Sequence, residues 1–391
     1  MKKILIIISF IFLLGGCYNY HELNDYAIAT GMAIDYKKKK YEVSIIISNS
    51  PKSNSESSSG NYQTVVYSGK GETIYDAIKE IGLISPKEIY LGHISVVVLS
   101  EDLAKKGINS SLEFLLQEPR SKKNFYVILS KNTDAKNVLS ITTPLTGFPS
   151  ETLSTNIRET EDLQGAVVTT DFSTLLYYLV NDGINPVMNG FKIIGNRKKG
   201  ANASNTETNL PKAYVKLTNL GIFKNDKLIA WATKDESRGI NIINNKIREL
   251  YIQIDCDQGH IVVATEKMNI VKTVNKKGNA TIDVKGKGAI NEITCNIDLT
   301  KQETIKKIEQ KINNKVKYFI EKGINVSKKY STDIFGIGFK YSKEYPKKYK
   351  NIKNWNKYYK NIKFKENVDI RLNNTGSIEQ SLERIENEKN Y

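Results

Sequence analysis

Cysteine, histidine and proline are scarce in this sequence. Its 391 residues include three cysteines, three histidines and eight prolines. So few cysteines exclude a small scaffold built on disulfides and a zinc protein with several cysteine ligands. So few histidines leave little for a histidine-based metal or catalytic site. The fractions of hydrophobic (40%) and charged (26%) residues are ordinary for a folded chain, so wholesale disorder is excluded, and the length predicts two or three domains.

Long apolar runs are absent beyond the amino terminus, where one short run stands. Two lysines precede the apolar residues 4–14, which are too few to cross a bilayer and have the form of an export signal. Two glycines then lead into Cys17. This arrangement matches the bacterial lipobox, where the cysteine thiol receives a diacylglyceryl group and the leader is cleaved just before it. We therefore expect residues 1–16 to be a signal peptide and the exported chain to be anchored by lipid on Cys17; an ordinary signal peptide with a chance cysteine is the alternative.

Acidic residues are in the minority, and the imbalance lies in the second half of the chain. The formal net charge is +16, made up of −3 over residues 18–195, +17 over residues 196–391 and the two lysines of the leader. The excess is greatest over residues 340–365, which contain ten lysines and one acid. Seven aromatic residues are interleaved with these lysines: Tyr341, Tyr345, Tyr349, Trp355, Tyr358, Tyr359 and Phe364.

Lysines interleaved with aromatic residues are typical of nucleic-acid binding, but two observations argue against it here. The chain is expected to be exported, and its 51 lysines against seven arginines do not suit base recognition, which prefers arginine. Three interpretations stay open: a solvated helical face, attraction to anionic lipid headgroups, or docking to an acidic protein partner. The candidate docking residues are Lys347, Lys348, Lys350 and Lys353.

The apolar patterns alternate between strand and helix. They predict an α+β (mixed α/β) protein with three domains, each a β-sheet with flanking helices. Residues 17–195 are predicted to form a mixed-sheet domain, and residues 196–247 a small middle domain with a β-hairpin and a helix. Residues 248–378 are predicted to form an antiparallel sheet with long helices, followed by a charged tail over residues 379–391.

Several elements can be predicted more closely. The apolar run over residues 90–99 predicts one strand that is buried on both faces. Further strands are expected over residues 250–256, 260–275 and 279–298. Residues 300–303 have the pattern of a capping box and open a long helix. Its apolar face is predicted to consist of Ile305, Ile308, Ile312, Val316, Phe319 and Ile320.

No motif requires catalysis, a metal or a cofactor. Cys256 and His260 lie close in sequence but without further ligands or an orienting partner, which disfavours a metal or cysteine-protease site. The same segment lacks the third acid and the closing glutamate of a calcium loop. His93 is expected to be a core or turn histidine. With Cys17 acylated, we expect Cys256 and Cys295 to be two buried free thiols; a disulfide, which requires Cα atoms within about 7 Å, is the alternative.

Six ordered segments carry a family pattern: residues 16–25, 31–35, 88–104, 221–239, 333–350 and 368–376. Together they resemble the C-subunit lipoproteins of bacterial spore germinant receptors, the Ger(x)C family. The most specific segment is Glu-Ile-Tyr-Leu-Gly-His at residues 88–93, which runs on into a valine-rich strand. The family usually has Trp after the lipid-bearing cysteine, where this chain has Tyr18. The resemblance spans nearly the whole chain after the leader.

The resemblance implies a three-domain mixed α/β protein on the outer face of the spore inner membrane. It implies assembly with integral-membrane A- and B-type subunits into a receptor for small nutrients such as amino acids, sugars or nucleosides, with no catalytic centre or cofactor. We therefore expect a non-enzymatic, lipid-anchored subunit that contributes to receptor assembly and nutrient-triggered germination. The alternative is a solute-binding lipoprotein that itself captures a small nutrient. A lipid-anchored hydrolase is disfavoured by the sparse histidines and the unpartnered cysteine.

Overall fold

The first of two sheets is formed by the amino-terminal part of the chain. The computed structural model describes residues 25–48, 64–164, 168, 170–247, 249–266, 268–295 and 297–374, so the expected leader, the lipobox and the charged tail lie outside the described residues. The strands of the first sheet are β1 (Tyr26–Lys37), β2 (Lys40–Ser48), β3 (Thr64–Gly71), β4 (Glu88–Tyr90), β5 (Val96–Ser100), β6 (Tyr126–Ser130), β7 (Val187–Gly195), β8 (Ala213–Lys224) and β9 (Lys227–Trp231). Their order is β3-β2-β1-β5-β6-β7-β8-β9, and β4 pairs with β1. In this order β1, β5, β6 and β7 are parallel neighbours, whereas β2 is antiparallel to β1 and β8 is antiparallel to β7. This arrangement confirms the predicted mixed sheet.

Helices cover both faces of the first sheet. They are α1 (Ile74–Gly82), α2 (Glu101–Lys106), α3 (Asn109–Gln117), α4 (Ala135–Leu139), α5 (Pro149–Gln164), α6 (Phe172–Val180) and α7 (Arg197–Gly200). Side chains of α1, α2, α3 and α6 share one apolar cluster with the sheet, and those of α4 and α5 share another. Strand β5 contributes Val97 and Leu99 to the first cluster and Val96 and Val98 to the second. Burial on both faces is thus confirmed for this strand.

The single strand predicted over residues 90–99 is nevertheless too long. Its first part pairs with β1 as β4, and a 3-10 turn (Leu91–His93) separates it from β5. Both strands run parallel to β1, but six steps lead from Tyr90 to Val96 while only three lead along β1 between their partners. The extra residues therefore leave the sheet as the turn.

The second sheet is formed by β10 (Leu250–Cys256), β11 (Gly259–Thr265), β12 (Asn269–Val274), β13 (Ala280–Ile293) and β14 (Phe364–Asn374). Strands β11 and β12 pair with successive parts of β13 and therefore continue one another along its edge. The one strand expected over residues 260–275 is thus two strands, the first ending at Thr265 and the second beginning at Asn269. Strand β14 is parallel to β13, so the prediction of an antiparallel sheet is wrong for this strand. The helices between β13 and β14 provide the crossover that a parallel pair requires.

A long helix, α9 (Gln302–Lys329), packs on the second sheet. The predicted apolar face is confirmed, although Ile305 is only partly buried. The predicted capping box is wrong: Lys301 is the N-cap residue without a side-chain cap bond, and the Thr300 hydroxyl donates to Asp298 instead. Helix α8 (Lys234–Ile243) crosses α9 closely, since a Cβ on Gly239 would meet the backbone of α9. The remaining helices are α10 (Ile337–Glu344), α11 (Pro346–Lys350) and α12 (Trp355–Tyr359).

The hairpin of β8 and β9 joins the two parts of the molecule. Strand β8 pairs with β7 along most of its length, so the expectation of a separate sheet in residues 196–247 is wrong. The apolar cluster of the second sheet also contains Val187, Leu220 and Ile222 of the first sheet. The core is therefore continuous between the two sheets, and the α+β class is confirmed, while the domain boundaries stay predictions.

Candidate functional site

A buried aspartate organises the segment that leads from α9 into the first turn of α10, residues 332–338, which we call the junction loop. Asp333 is fully buried. Its carboxylate accepts hydrogen bonds from the backbone N–H groups of Phe335, Ile337 and Gly338 at 3.1, 3.1 and 2.7 Å. The indole Nε1 of Trp355 donates a fourth at 2.9 Å. Because a buried carboxylate needs such partners, these four bonds fix the path of the loop into α10.

Two ionisable groups meet at this loop. Burial raises the pKa of the Asp333 carboxyl to about 6, against the opposing effect of its hydrogen bonds. Burial also lowers the pKa of Lys272 to about 8, while the Asp333 carboxylate favours the charged form. The Lys272 ammonium donates to the Phe335 carbonyl oxygen at 2.8 Å. The second sheet thus holds the junction loop through β12.

The junction loop is also bound to the first sheet and its connections. The backbone N–H of Asn185 donates to the carbonyl oxygen of Asp333 at 2.7 Å. The Thr332 hydroxyl donates to the carbonyl oxygen of Phe223, in β8, at 2.7 Å. One loop therefore contacts both sheets through buried hydrogen bonds, which ties the two parts of the molecule together.

The backbone crosses very closely at one point of this junction. The N–H of Phe339 donates to the Gly183 carbonyl oxygen at 3.0 Å. Gly183 has a φ of +78°, and a Cβ there would lie 2.5 Å from the carbonyl carbon of Gly338. Both the positive φ and the close approach require glycine at this position.

A cleft of about 450 Å³ opens beside the crossing. Asp182, Asn185 and Asn225 line it from the amino-terminal part of the chain, and Tyr349 and Lys353 line it from the carboxy-terminal part. Burial and the nearby Asp182 carboxylate raise the pKa of Tyr349 to about 12, so its hydroxyl is protonated at neutral pH. The cleft therefore offers amide, carboxylate, hydroxyl and ammonium groups to a small polar molecule.

The four candidate docking lysines are exposed and close together. Lys347, Lys348 and Lys350 lie on α11, and Lys353 follows at the cleft. The Lys348 ammonium donates to the Lys276 carbonyl oxygen at 3.2 Å. The structure groups these lysines on one short helix and the turn after it, and their docking role stays a prediction.

The aromatic residues interleaved with these lysines pack on one another. The ring centroid of Trp355 lies 6.0 Å from that of Tyr341, 5.4 Å from Tyr349, 5.6 Å from Tyr358 and 6.3 Å from Tyr359. Tyr341, Trp355 and Tyr359 are buried. The alternation of lysine and aromatic residues therefore reflects an aromatic core with lysines on its outer side.

Cys256 and Cys295 form a disulfide, with their Cα atoms 6.2 Å apart. The expectation of two free thiols is wrong. The pairing of β10 with β11 and of β11 with β13 brings the end of β10 close to the end of β13, which places the two cysteines within bonding distance. A disulfide suits an exported chain because such bonds persist in oxidising compartments.

The two other histidines noted in the sequence lie in different parts of the described structure. His260 pairs through Nε2 with Glu292 at 3.0 Å, and His93 is an exposed residue of the 3-10 turn. No cluster of three or more His, Cys, Asp or Glu side chains in the described part of the chain is placed to hold a metal ion. Cys17 lies outside the described residues. The helices of that same part include none with the length and apolar character needed to cross a membrane.

Sequence reasoning missed the role of Asp333. In the sequence it stands out only as the first residue of the family pattern over residues 333–350. Its local signal is an acid followed by two nearby glycines in an apolar segment, which predicts a turn but not a fully buried carboxylate.

The chain is thus an α+β protein with two sheets, and two models of known protein families match its sequence. Residues 19–193 match the model described as "Spore germination protein N-terminal domain". Residues 218–376 match the model described as "Spore germination B3/ GerAC like, C-terminal". The chain belongs to the Ger(x)C family of spore germination proteins, which confirms the resemblance and indicates a role in spore germination.

Individual relatives agree with this assignment. The chain is 27% identical over 370 residues to spore germination protein KC of Bacillus subtilis (strain 168), covering 91% of each chain. It is 20% identical over 381 residues to spore germination protein B3 of the same organism, covering 93% of this chain and 95% of that protein. The crystal structure of the GerBC protein has a TM-score of 0.52 and 15% identity, covering 91% of this chain and 100% of that one; this likeness shows the fold.

Proposed function

We propose that this chain is the lipid-anchored, non-enzymatic subunit of a spore germinant receptor, held on the outer face of the spore inner membrane. The observation that carries the proposal is the combination of two features in one chain. Germination family models match most of its length, and a lipobox pattern ends at Cys17, two residues before the first matched residue.

Anchoring would serve the folded body by keeping it close to the other receptor subunits. Acyl chains on Cys17 confine the body to a thin layer above the bilayer, which raises its effective concentration toward integral-membrane A- and B-type subunits. The continuous core between the two sheets and the buried bonds of the junction loop support a rigid body. A rigid body presents its contact surfaces without a large ordering cost on assembly.

Replacement of the acylated cysteine tests this proposal. Spores that carry Cys17→Ser are expected to lose co-purification of this chain with integral-membrane receptor subunits and to germinate poorly on nutrients. Tyr18→Trp is the matched control, because it changes the neighbouring residue to the one usual in the family and leaves the thiol in place. Normal assembly and germination with Cys17→Ser would refute the anchoring role.

A second candidate function is direct capture of a small nutrient. The polar cleft of about 450 Å³ beside the junction loop favours it, since pockets for small ligands typically measure about 300–1,000 Å³. Calorimetry of the whole mature chain against amino acids, sugars and nucleosides tests it. Micromolar binding that Asp182→Ala abolishes would favour the solute-binding function, and no binding would favour the receptor-subunit function alone.

A further inference from the structure

The turn after α1 carries apolar side chains into solvent. Leu83 is 80% exposed and Ile84 is 56% exposed. Tyr75, in the first turn of α1, is 59% exposed as well. The opposite face of α1 packs on the first sheet through Ile74, Ala77 and Ile81. The exposed apolar residues are therefore not part of the core, and we call Tyr75, Leu83 and Ile84 the apolar tip.

The apolar tip lies beside the point where the chain enters the fold. Strand β4, which follows the turn, pairs with the first residues of β1, with Tyr26 opposite Glu88. A surface cavity next to the turn is lined by Asp25 together with Gly82 and Lys87. The amino-terminal segment therefore leaves the folded body next to the apolar tip.

The distance from this exit to the expected lipid anchor is short. Eight residue steps separate Cys17 from Asp25, and a fully extended chain spans about 3.5 Å per residue, or about 28 Å in all. If Cys17 carries acyl chains in the bilayer, the exit must stay within that distance of the lipid surface, and the turn that carries Leu83 and Ile84 lies beside the exit.

We propose that the apolar tip is the surface by which the folded body rests on the lipid bilayer. The proposal depends on the acylation of Cys17 given under the proposed function. Leu83 and Ile84 enter the boundary between headgroups and acyl chains, and Tyr75 lies at headgroup level, where aromatic residues with a polar end are favoured. The phospholipid surface is thus the partner, and the Cys17 anchor and the tip contact it together.

The charges around the tip indicate what drives the contact. Lys79 and Lys87 are exposed near the tip, and the ammonium of Lys79 lies 4.8 Å from the centroid of the Tyr75 ring. Asp76 and Glu80 of the same helix are exposed as well and offset the two lysines. Insertion therefore depends on the apolar side chains, and we expect it in both neutral and anionic membranes.

A single labelled cysteine tests the proposal in the full-length lipoprotein. With Cys17 acylated and Cys256 bonded to Cys295, the variant Leu83→Cys adds one free thiol for an environment-sensitive fluorophore. In phosphatidylcholine vesicles, with or without phosphatidylglycerol, we expect a blue-shifted emission that brominated lipids quench.

The control is Leu145→Cys, because Leu145 is 96% exposed and lies between α4 and α5 on the opposite face of the first sheet. We expect neither a blue shift nor quenching there. Flotation with the vesicles reports the anchor separately. Flotation without quenching at position 83 would overturn the tip proposal and leave the anchor intact. Quenching that appears only when receptor subunits are co-reconstituted would have the same meaning. Failure of flotation would refute the anchor, and the tip proposal would fall with it.

Discussion

Asp333 shows how one residue determines the shape of the junction. Its carboxylate is removed from water and receives four hydrogen bonds, so burial and hydrogen bonding have opposite effects on its ionisation. Burial is the larger of the two, which places the pKa at about 6. Ionisation of this one group is therefore coupled to folding.

The expected consequence is a pH-dependent stability between about pH 4 and pH 6. The folded pKa of about 6 lies above the ordinary value of 3.8, so the folded protein holds a proton that the unfolded chain has released. The free energy of unfolding should therefore fall as pH rises through this window, by about 3 kcal/mol in total. Urea unfolding of the wild type and of Asp333→Asn at several pH values measures it, because only the wild type has this titration. If the free energy of unfolding of the wild type instead rose with pH relative to that of Asp333→Asn, the four hydrogen bonds would outweigh burial and the prediction would be wrong.

Gly183 gives a second prediction at this scale. Gly183→Ala should lower the free energy of unfolding by about 2–4 kcal/mol, because the new methyl group would meet the backbone of Gly338 and the residue has a positive φ. Gly82→Ala is the matched control, since a Cβ there meets nothing within 4 Å, and it should change stability by less than about 1 kcal/mol. Equal effects of the two substitutions in thermal unfolding would contradict the importance of the crossing.

At the scale of elements, local patterns predicted most of the helices and strands and missed their long-range partners. The helix Lys234–Ile243 and the apolar face of α9 follow from local spacing. The break between β11 and β12 does not. Thr265 pairs with Gly288 and Asn269 with Lys285, so the register of pairing with β13 shifts by one residue between β11 and β12. Such a register shift depends on the partner strand, which sequence periodicity does not reveal.

The lysines of α11 were predicted as a candidate site from charge alone. Their exposure follows from composition, but the aromatic core beneath them depends on contacts that include Gly338 and Asp333, brought together by the fold. The sequence thus indicated which segment carries the lysines, but it could not indicate which side of each helix the lysines and the aromatic side chains occupy. The buried carboxylate could not be predicted either, because Lys272 and Trp355 are distant in sequence.

The charge of this helix can be tested directly. Replacement of Lys347, Lys348, Lys350 and Lys353 by Glu should weaken receptor assembly and, in an unanchored Cys17→Ser background, binding to anionic vesicles. At about 1 kcal/mol per lysine near the surface, we expect a loss of at least about tenfold. The control replaces four exposed lysines of α9 by Glu and so changes the net charge by the same amount as the test variant: Lys306, Lys307, Lys317 and Lys322. An equal loss in both variants would mean that total charge matters and that α11 is a solvated face.

At the scale of the whole molecule, the junction loop and the continuous core hold the two sheets as one body. The family could be identified from sequence because its motifs fall at places that the fold depends on, such as the junction loop and β4 beside the chain entry. The expectation of a separate middle sheet was wrong because β8 pairs with β7, and such long-range pairing does not follow from the local sequence pattern. A single rigid body suits the proposed role of a subunit that is tethered at one end and presents surfaces to its neighbours.

Mass spectrometry of this chain from purified spore inner membrane tests the account most directly. We predict an amino-terminal peptide that begins at Cys17 and carries acyl chains through its thioether. Recovery of the protein from the soluble spore core with its leader intact, or with an unmodified Cys17, would contradict the anchored-subunit function.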